Sequence, residues 1–227
     1  MKITILIPVF NEEKTIGQIL SMVLQETASF ETEIIVVNDG STDKTLERIQ
    51  AYLSDIVLVN LSENQGKGVA LQQGLKKATG DIVIIQDGDL EYDPKDYSRL
   101  LKPILKGETK IVYGSRNLGK NKYIYRSFFL GGLVLTKLIN FLFKANLTDV
   151  STGYKVFETK TLREIGIESR SFEVEEELTV KILKKDLKIV EIPITYKPRS
   201  FEEGKKMNWS DGLRAIWAIF YFTYLKK

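Results

Sequence analysis

An α/β fold, one domain with a mostly parallel central sheet flanked by helices, is what this sequence predicts, and three observations predict it. Short all-apolar runs alternate with amphipathic stretches, the βαβ pattern of strands buried on both faces. Each apolar run gives way to polar or small residues: Phe10-Asn11-Glu12, Asp39-Gly40-Ser41, Asn64-Gln65-Gly66-Lys67-Gly68 and Asp87-Gly88-Asp89. Ligands of open sheets lie outside the carboxyl ends of the strands, so these loops are expected to share one crevice. At 227 residues the chain buries one sizeable core, and a second domain is not expected.

The elements follow in order. Ile3–Val9 is a continuous apolar run and reads as the first strand, with a helical stretch near Glu12–Gln25 behind it. Glu33–Asn38 repeats the strand pattern, and Asp43–Tyr52 is its helix. Ile56–Asn60 is the third strand and Gly68–Ala78 the third helix. Ile82–Gln86 and Ile111–Gly114 complete the expected parallel sheet. No repeat, linker or low-complexity tract interrupts the pattern.

Composition removes whole classes of chemistry. Without cysteine there are no disulfides, zinc–thiolate sites or thiol nucleophiles. Without histidine there is no Ser–His arrangement, no imidazole ligand and no imidazole base. What remains is carboxylates, Arg and Lys, hydroxyls and a hard metal. The 33 lysines and arginines against 30 acids leave a net charge of +3, with no basic stripe that calls for nucleic acid. The chain opens directly on a strand with no signal peptide, so a cytoplasmic address is expected. The first turn carries no glycine, which excludes a G-x-G-x-x-G dinucleotide loop, and Gln65-Gly66-Lys67-Gly68 lacks the spacing of a P-loop.

Asp87, Asp89 and Glu91 stand at alternate positions past the strand Ile82–Gln86. Side chains on an extended segment point the same way at i, i+2 and i+4, so the three carboxylates are expected to converge. Hard oxygens at a strand tip suit Mg²⁺ or Mn²⁺, which also take oxygens from a substrate diphosphate. Gly88 lets the backbone approach a ligand. The same run also reads as a polar turn that closes a strand, D-G being a common turn dipeptide.

Taken together, the motifs resemble family 2 glycosyltransferases of the Rossmann-like GT-A fold. Pro8-Val9-Phe10-Asn11-Glu12-Glu13 resembles that family's opening motif, and Val37-Asn38-Asp39-Gly40-Ser41-Thr42-Asp43 its nucleoside-binding turn. Asn64-Gln65-Gly66-Lys67-Gly68, Gln86-Asp87-Gly88-Asp89 and Gly114-Ser115-Arg116 follow in place. So do Thr148-Asp149-Val150-Ser151-Thr152-Gly153-Tyr154-Lys155, Phe172-Glu173-Val174-Glu175, Tyr196-Lys197-Pro198-Arg199 and Glu203-Gly204-Lys205-Lys206. The later motifs are most similar to the polyprenyl-phosphate hexose synthases, the group of dolichol-phosphate mannose synthase.

The resemblance implies roles. Residues 1–115 would form a nucleotide-sugar-binding half and 116–227 an acceptor-binding half. Pro8, Phe10, Glu12, Val37 and Asp39 would hold base and ribose, a carboxylate such as Asp39 being apt to accept hydrogen bonds from either. Asn38 replaces an aspartate often found there. Asp87, Asp89 and Glu91 would hold Mn²⁺ or Mg²⁺ on the diphosphate; the related synthases commonly have glutamine at the third position, and Glu91 makes the site more negative. The donor would be of the GDP-mannose or UDP-glucose type and the acceptor a polyprenyl or dolichyl monophosphate. The implied reaction is displacement at the anomeric carbon with inversion, the leaving diphosphate being met by the metal and by fixed cations. Arg116, Arg126 and Arg199 are the arginine candidates, since guanidinium forks bind phosphate oxygens in pairs, and Lys205 lies in the nearby Glu-Gly-Lys-Lys turn. Each of these arginines also reads as a solvated surface charge.

A phosphate monoester, with a second pKa of roughly 6, is already a nucleophile at neutral pH and needs no base. An alcohol acceptor needs one, and Asp149, ahead of Glu173, Glu175 and Glu177, is the candidate. The chain also admits two rival readings: a family 2 enzyme acting on a glycan or protein hydroxyl, and a non-catalytic subunit that binds nucleotide-sugar.

Two segments bear on membranes. Residues 127–143 are mostly apolar around Lys137, and 208–225 carry Trp209, Trp217, Tyr221 and Tyr224 ahead of a basic end. A spanning helix needs about 20 apolar residues. The apolar part of the second, Ala215–Leu225, is too short and the first is marginal, so helices lying in the bilayer interface are expected. Both also read as core helices. Peripheral attachment to the cytoplasmic face, or a membrane-anchored partner, is the corresponding expectation.

Overall fold

The computed structural model describes residues 1–206 and 208–226. The first half runs β1 (Ile3–Val9), α1 (Ile16–Thr27), β2 (Thr32–Asp39), α2 (Thr45–Gln50), β3 (Val57–Leu61), α3 (Lys67–Lys77) and β4 (Ile82–Ile85). A short 3-10 turn at Pro94–Asp96 leads into α4 (Tyr97–Leu105), then β5 (Ile111–Ser115) and α5 (Arg126–Phe143). The chain continues through β6 (Lys155–Glu158), α6 (Thr159–Ile165), α7 (Val174–Lys184), β7 (Ile189–Pro193) and α8 (Trp209–Phe220), which ends in a wider turn at Tyr221–Leu225.

The seven strands form one sheet in the order β3-β2-β1-β4-β6-β5-β7. β6 alone runs against the others and separates β4 from β5, which the sequence pattern had made successive strands of one parallel ladder. Alternation along β1 divides the core. Ile3, Ile5, Ile7 and Val9 pack against α1, α2 and α4 on one face. Leu6 faces the other way, beside Ile35 and Ile85 in the two flanking ladders, under α3, α6 and α7. A third apolar cluster joins α5, α7 and α8 through Leu135, Ile139, Val180 and Ile219.

Two helices begin later than their sequence pattern. α1 starts at Ile16 because Asn11 adopts a left-handed φ of 48° and Phe10–Thr15 forms a turn instead. That turn is stitched to the β2–α2 loop: Asn11 N donates to Ser41 Oγ at 2.9 Å and Glu12 N to Thr45 Oγ1 at 2.7 Å. α2 is likewise confined to Thr45–Gln50. These stitches hold the polar ends of β1 and β2 together, at the edge where the loop after β4 also emerges.

Of the two apolar segments, α5 has a mean hydropathy of 1.4 over 18 residues, and only 17% of it is buried in the protein. It is long and apolar enough to cross a membrane, and it packs on the domain through one face only, at Leu135, Thr136 and Ile139. α8 starts at a capping box, with Asn208 Oδ1 accepting from Ser210 N and Asp211 Oδ2 from Asn208 N. Trp217 projects from it into solvent, and Trp209 and Leu213 are exposed at the rim of the cleft described below.

Candidate active site

The strand ends enclose one cleft of about 810 Å³. Pro8, Phe10 and Glu12 line it after β1, Asp39 after β2, and Asp87, Gly88, Asp89 and Glu91 after β4. The second half adds Arg116, Asp149, Arg199 and Lys205. Two expected site residues lie elsewhere. Val37 is fully buried beneath α3, because its place in β2 turns it to the core face. Arg126 opens α5 exposed to solvent and is not on the cleft wall.

Arg199 is the hub of the charged end. Its Nη1 donates to Glu12 Oε2 at 2.8 Å and its Nη2 to Asp89 Oδ2 at 2.6 Å. Lys206 adds a second cation to Glu12 and donates to the carbonyl of Phe10. Burial alone would lower Arg199, but Asp89 and Glu12 outweigh it and hold the guanidinium above its ordinary value. Burial and neighbouring Asp87 push Asp89 up to about 7, against the pull of Arg199. The Arg199 guanidinium, in contact at 2.6 Å, is the partner that favours its charged form.

The three acids past β4 line one cleft, but Glu91 is held by partners of its own. β4 stops at Ile85, so the alternation of an extended strand has lapsed before Asp87. Glu91 instead accepts from Tyr196 Oη at 2.9 Å and from Arg199 N at 2.7 Å, with Lys205 Nζ 3.5 Å away. Among the described residues no three such side chains gather as a metal cage. Asp87, and to a smaller degree Glu91 and Glu12, stand close enough to Asp89 that their charges raise it, and Asp87 and Asp89 are the two carboxylates without a tyrosine donor. Two carboxylates plus substrate phosphate oxygens are the usual protein share of a Mg²⁺ or Mn²⁺ site, so this donor set fits such an ion.

Asp149 is already engaged. Arg116 grips it in two-pronged fashion, Nε to Oδ2 and Nη2 to Oδ1, both at 2.8 Å, and Arg116 N adds a bond at 2.9 Å. The guanidinium stands 5.3 Å from the Tyr196 ring centroid. Asp39 is similarly used, its two oxygens accepting from Gln65 N and Gly66 N at 2.8 Å each. This closes the turn before α3, where Gly66 takes a φ of 100° and a Cβ would meet Arg170 O at 2.3 Å. Gly88 packs its bare Cα on the wall of β1, where a Cβ would lie 3.0 Å from Val9 Cγ2.

Of the other acids weighed as bases, Glu173 accepts from Ser171 N at 3.1 Å and Glu177 from Ser169 N at 2.7 Å, both as loop anchors. Glu176 is different. It lines the cleft, accepts from Ser151 Oγ at 2.6 Å, and burial pushes it up to about 7. Glu176, Lys67 and Lys206 belong to the site, although the motif reading assigned them no role. Lys67 lies 2.6 Å from Asp87. Its signal was the Gln-Gly-Lys-Gly turn itself, and Lys206 sits next to the lysine that was singled out.

Beyond Arg116 the cleft turns apolar. Phe128, Val134 and Leu135 of α5 face Leu213, Ala215 and Ile216 of α8 along it.

The fold is that of the GT-A glycosyltransferases. The crystal structure of glucosyl-3-phosphoglycerate synthase from Mycobacterium tuberculosis superposes with a TM-score of 0.78, covering 98% of this chain and 80% of that one at 22% identity. That synthase was crystallised with Mn²⁺, uridine diphosphate and glucosyl-3-phosphoglycerate. The chain belongs to glycosyltransferase family 2, whose family model, glycosyl transferase family 2, matches residues 4–166. It is 26% identical to the dolichol-phosphate mannosyltransferase of Pyrococcus furiosus over 211 residues, which are 90% of this chain and 59% of that protein. It is 27% identical to the dodecaprenyl-phosphate galacturonate synthase of Rhizobium johnstonii over 173 residues, 74% of this chain and 51% of that protein. A dolichyl-phosphate beta-glucosyltransferase of Trichomonas vaginalis is 29% identical over 227 residues, 92% of this chain and 68% of its own length. The chain thus spans a little over half the length of the first two relatives.

Proposed function

We propose that this chain transfers a hexose from a nucleotide-sugar to a polyprenyl monophosphate, with inversion at the anomeric carbon. The observation that carries the reading is the two-ended cleft: carboxylates and Arg199 at one end, an apolar passage between α5 and α8 at the other. An acceptor with a phosphate head and a hydrocarbon tail matches both ends. The relatives' names favour the same acceptor class, and in this reading residues 1–115 hold the donor and 116–227 the acceptor.

Phe10 and Pro8 wall the nucleoside, and Asp39 holds the turn that backs it. Asp87 and Asp89 would hold Mn²⁺ or Mg²⁺, which when bound supplies positive charge to the leaving diphosphate. Arg199, Lys205 and Lys206 offer further cations to that diphosphate. A phosphate oxygen of the acceptor forms the new bond to the anomeric carbon as the bond to the diphosphate breaks. No proton has to be removed, which accords with a chain lacking histidine. Arg116, braced by Asp149, is placed to meet the acceptor phosphate, and the exposed Leu130, Val134, Trp209, Leu213 and Trp217 would rest in the headgroup region of the cytoplasmic leaflet.

One observation favours a second reading. A hydroxyl acceptor needs a base, and Glu176, on the cleft wall near pKa 7, is suited to that task.

The test is a donor screen with the purified chain, Mn²⁺ or Mg²⁺, and nucleotide-sugars with and without polyprenyl phosphate. Release of one nucleoside diphosphate that depends on the lipid, and is lost in Asp89→Ala, is the expected result. Metal-dependent nucleotide binding without lipid-stimulated release overturns the lipid-phosphate reading.

A further inference from the structure

Behind Asp87 a row of alternating charges runs into the protein. Lys67 Nζ lies 2.6 Å from Asp87 Oδ1 and 2.9 Å from Glu175 Oε1. The second oxygen of Glu175 pairs with Lys155, whose ammonium also donates to Val150 O at 3.1 Å and to Thr152 O. The four side chains come from four places: the loop after β4, the first turn of α3, the first turn of α7 and the start of β6. Exposure falls along the row from 21% at Asp87 through 10% at Lys67 and 7% at Glu175 to none at Lys155, so water screens the inner pairs little. Gly153 seals it, since a Cβ there would lie 2.5 Å from Asp87 Oδ2 and 3.0 Å from Lys67 Nζ.

The chemistry follows from the sharing of one ammonium. An ammonium given wholly to Asp87 would cancel the charge that a divalent ion needs. Divided between two carboxylates, it fixes the orientation of Asp87 and leaves part of the charge in place. Glu175 has to stay ionised for this. Its burial works against that, but Lys155 and Lys67 outweigh burial and hold it below its ordinary value.

We infer that Glu175 is a positioning residue which acts through Lys67 to aim the Asp87 carboxylate and set its affinity for a divalent cation. This rests on the reading that Asp87 holds the metal of the donor diphosphate.

The experiment is Mn²⁺ binding to the whole chain, read from the electron-spin-resonance signal of the free ion, with thermal unfolding alongside. Glu175→Gln frees the ammonium for Asp87 and should weaken Mn²⁺ binding about tenfold, the lower end of what outer partners of metal ligands contribute. Lys67→Met makes the site more negative and should bind Mn²⁺ at least as tightly as the unaltered chain. The double variant Glu175→Gln with Lys67→Met restores the net charge and should return toward the starting affinity. Simple damage to the fold would instead leave the double variant the weakest. Asp87→Asn separates the two layers. If it keeps its Mn²⁺, the metal reading falls and this inference with it. If it loses Mn²⁺ while Glu175→Gln binds normally, the inference alone is overturned.

Discussion

Arg199 and Asp89 stand 110 positions apart in the chain and meet at 2.6 Å. The contact carries the loop after β7 across the loop after β4, and the same guanidinium reaches Glu12 after β1. Three loops from both halves of the sequence thus converge on one fork.

Removing that fork leaves buried Asp89 without its cationic partner and Glu12 with Lys206 alone. Arg199→Met is expected to lower stability by about 3 kcal/mol, read from chemical denaturation, because an uncompensated buried charge is costly. Arg199→Lys should recover only part of this, since an ammonium lacks the planar fork that spans Glu12 and Asp89. Equal stability of all three chains would show that the cluster is already satisfied without the guanidinium.

Asp149 offers a test of base against brace. Both of its oxygens are held by Arg116, so Asp149→Ala should lower the melting temperature and the turnover together, by about 3 kcal/mol of stability. A variant that melts normally but has lost turnover would mark Asp149 as the base instead.

Glu33 makes stability depend on acid. It accepts from Thr4 Oγ1 and Thr79 Oγ1 at 2.6 Å each and pairs with Lys2 at 2.8 Å, tying β1 and β2 to the turn before β4. Burial would raise it, but hydrogen bonds from Lys2, Thr4 and Thr79 outweigh that and bring it from 4.5 to about 2. A folded value below the unfolded one means the native chain binds fewer protons, so the stabilisation is complete above about pH 4.5 and is lost as pH falls toward 2. Glu33→Gln should therefore melt below the unaltered chain at pH 7, with the gap closing across that window. A gap that is constant with pH would remove the carboxylate from the account.

Gly66 sits at φ 100° with its Cα against the Arg170 carbonyl. Gly66→Ala should cost about 2 kcal/mol or more, from strain and displacement of the 169–171 loop. Thermal unfolding reads it, and an unchanged midpoint would mean that the loop yields freely.

For the apolar surface, co-sedimentation with anionic lipid vesicles is the measurement. Replacing Trp209 and Trp217 together by serine should reduce vesicle binding about tenfold. Binding that is unaffected by the pair would place the membrane contact elsewhere.

The strands of the first half were legible from local pattern because a strand buried on both faces needs a nearly continuous apolar run, and Ile3–Val9, broken only by Thr4, and Ile82–Ile85 are such runs. The acidic and glycine-rich turns that follow them were legible for the same reason, since strand ends in a parallel sheet face one crevice. β6 was not, because it opens on Lys155, a residue that enters the core only when Glu175, on a helix still to come, meets its charge. Glu91 was read as a third metal ligand by its spacing from Asp87 and Asp89, yet Tyr196 and Arg199, more than a hundred positions away, take its two oxygens. Apolar periodicity is a property of neighbouring residues and so survives in the sequence. The partner of a buried charge is chosen by whichever element folds against it, and only the tertiary structure decides that.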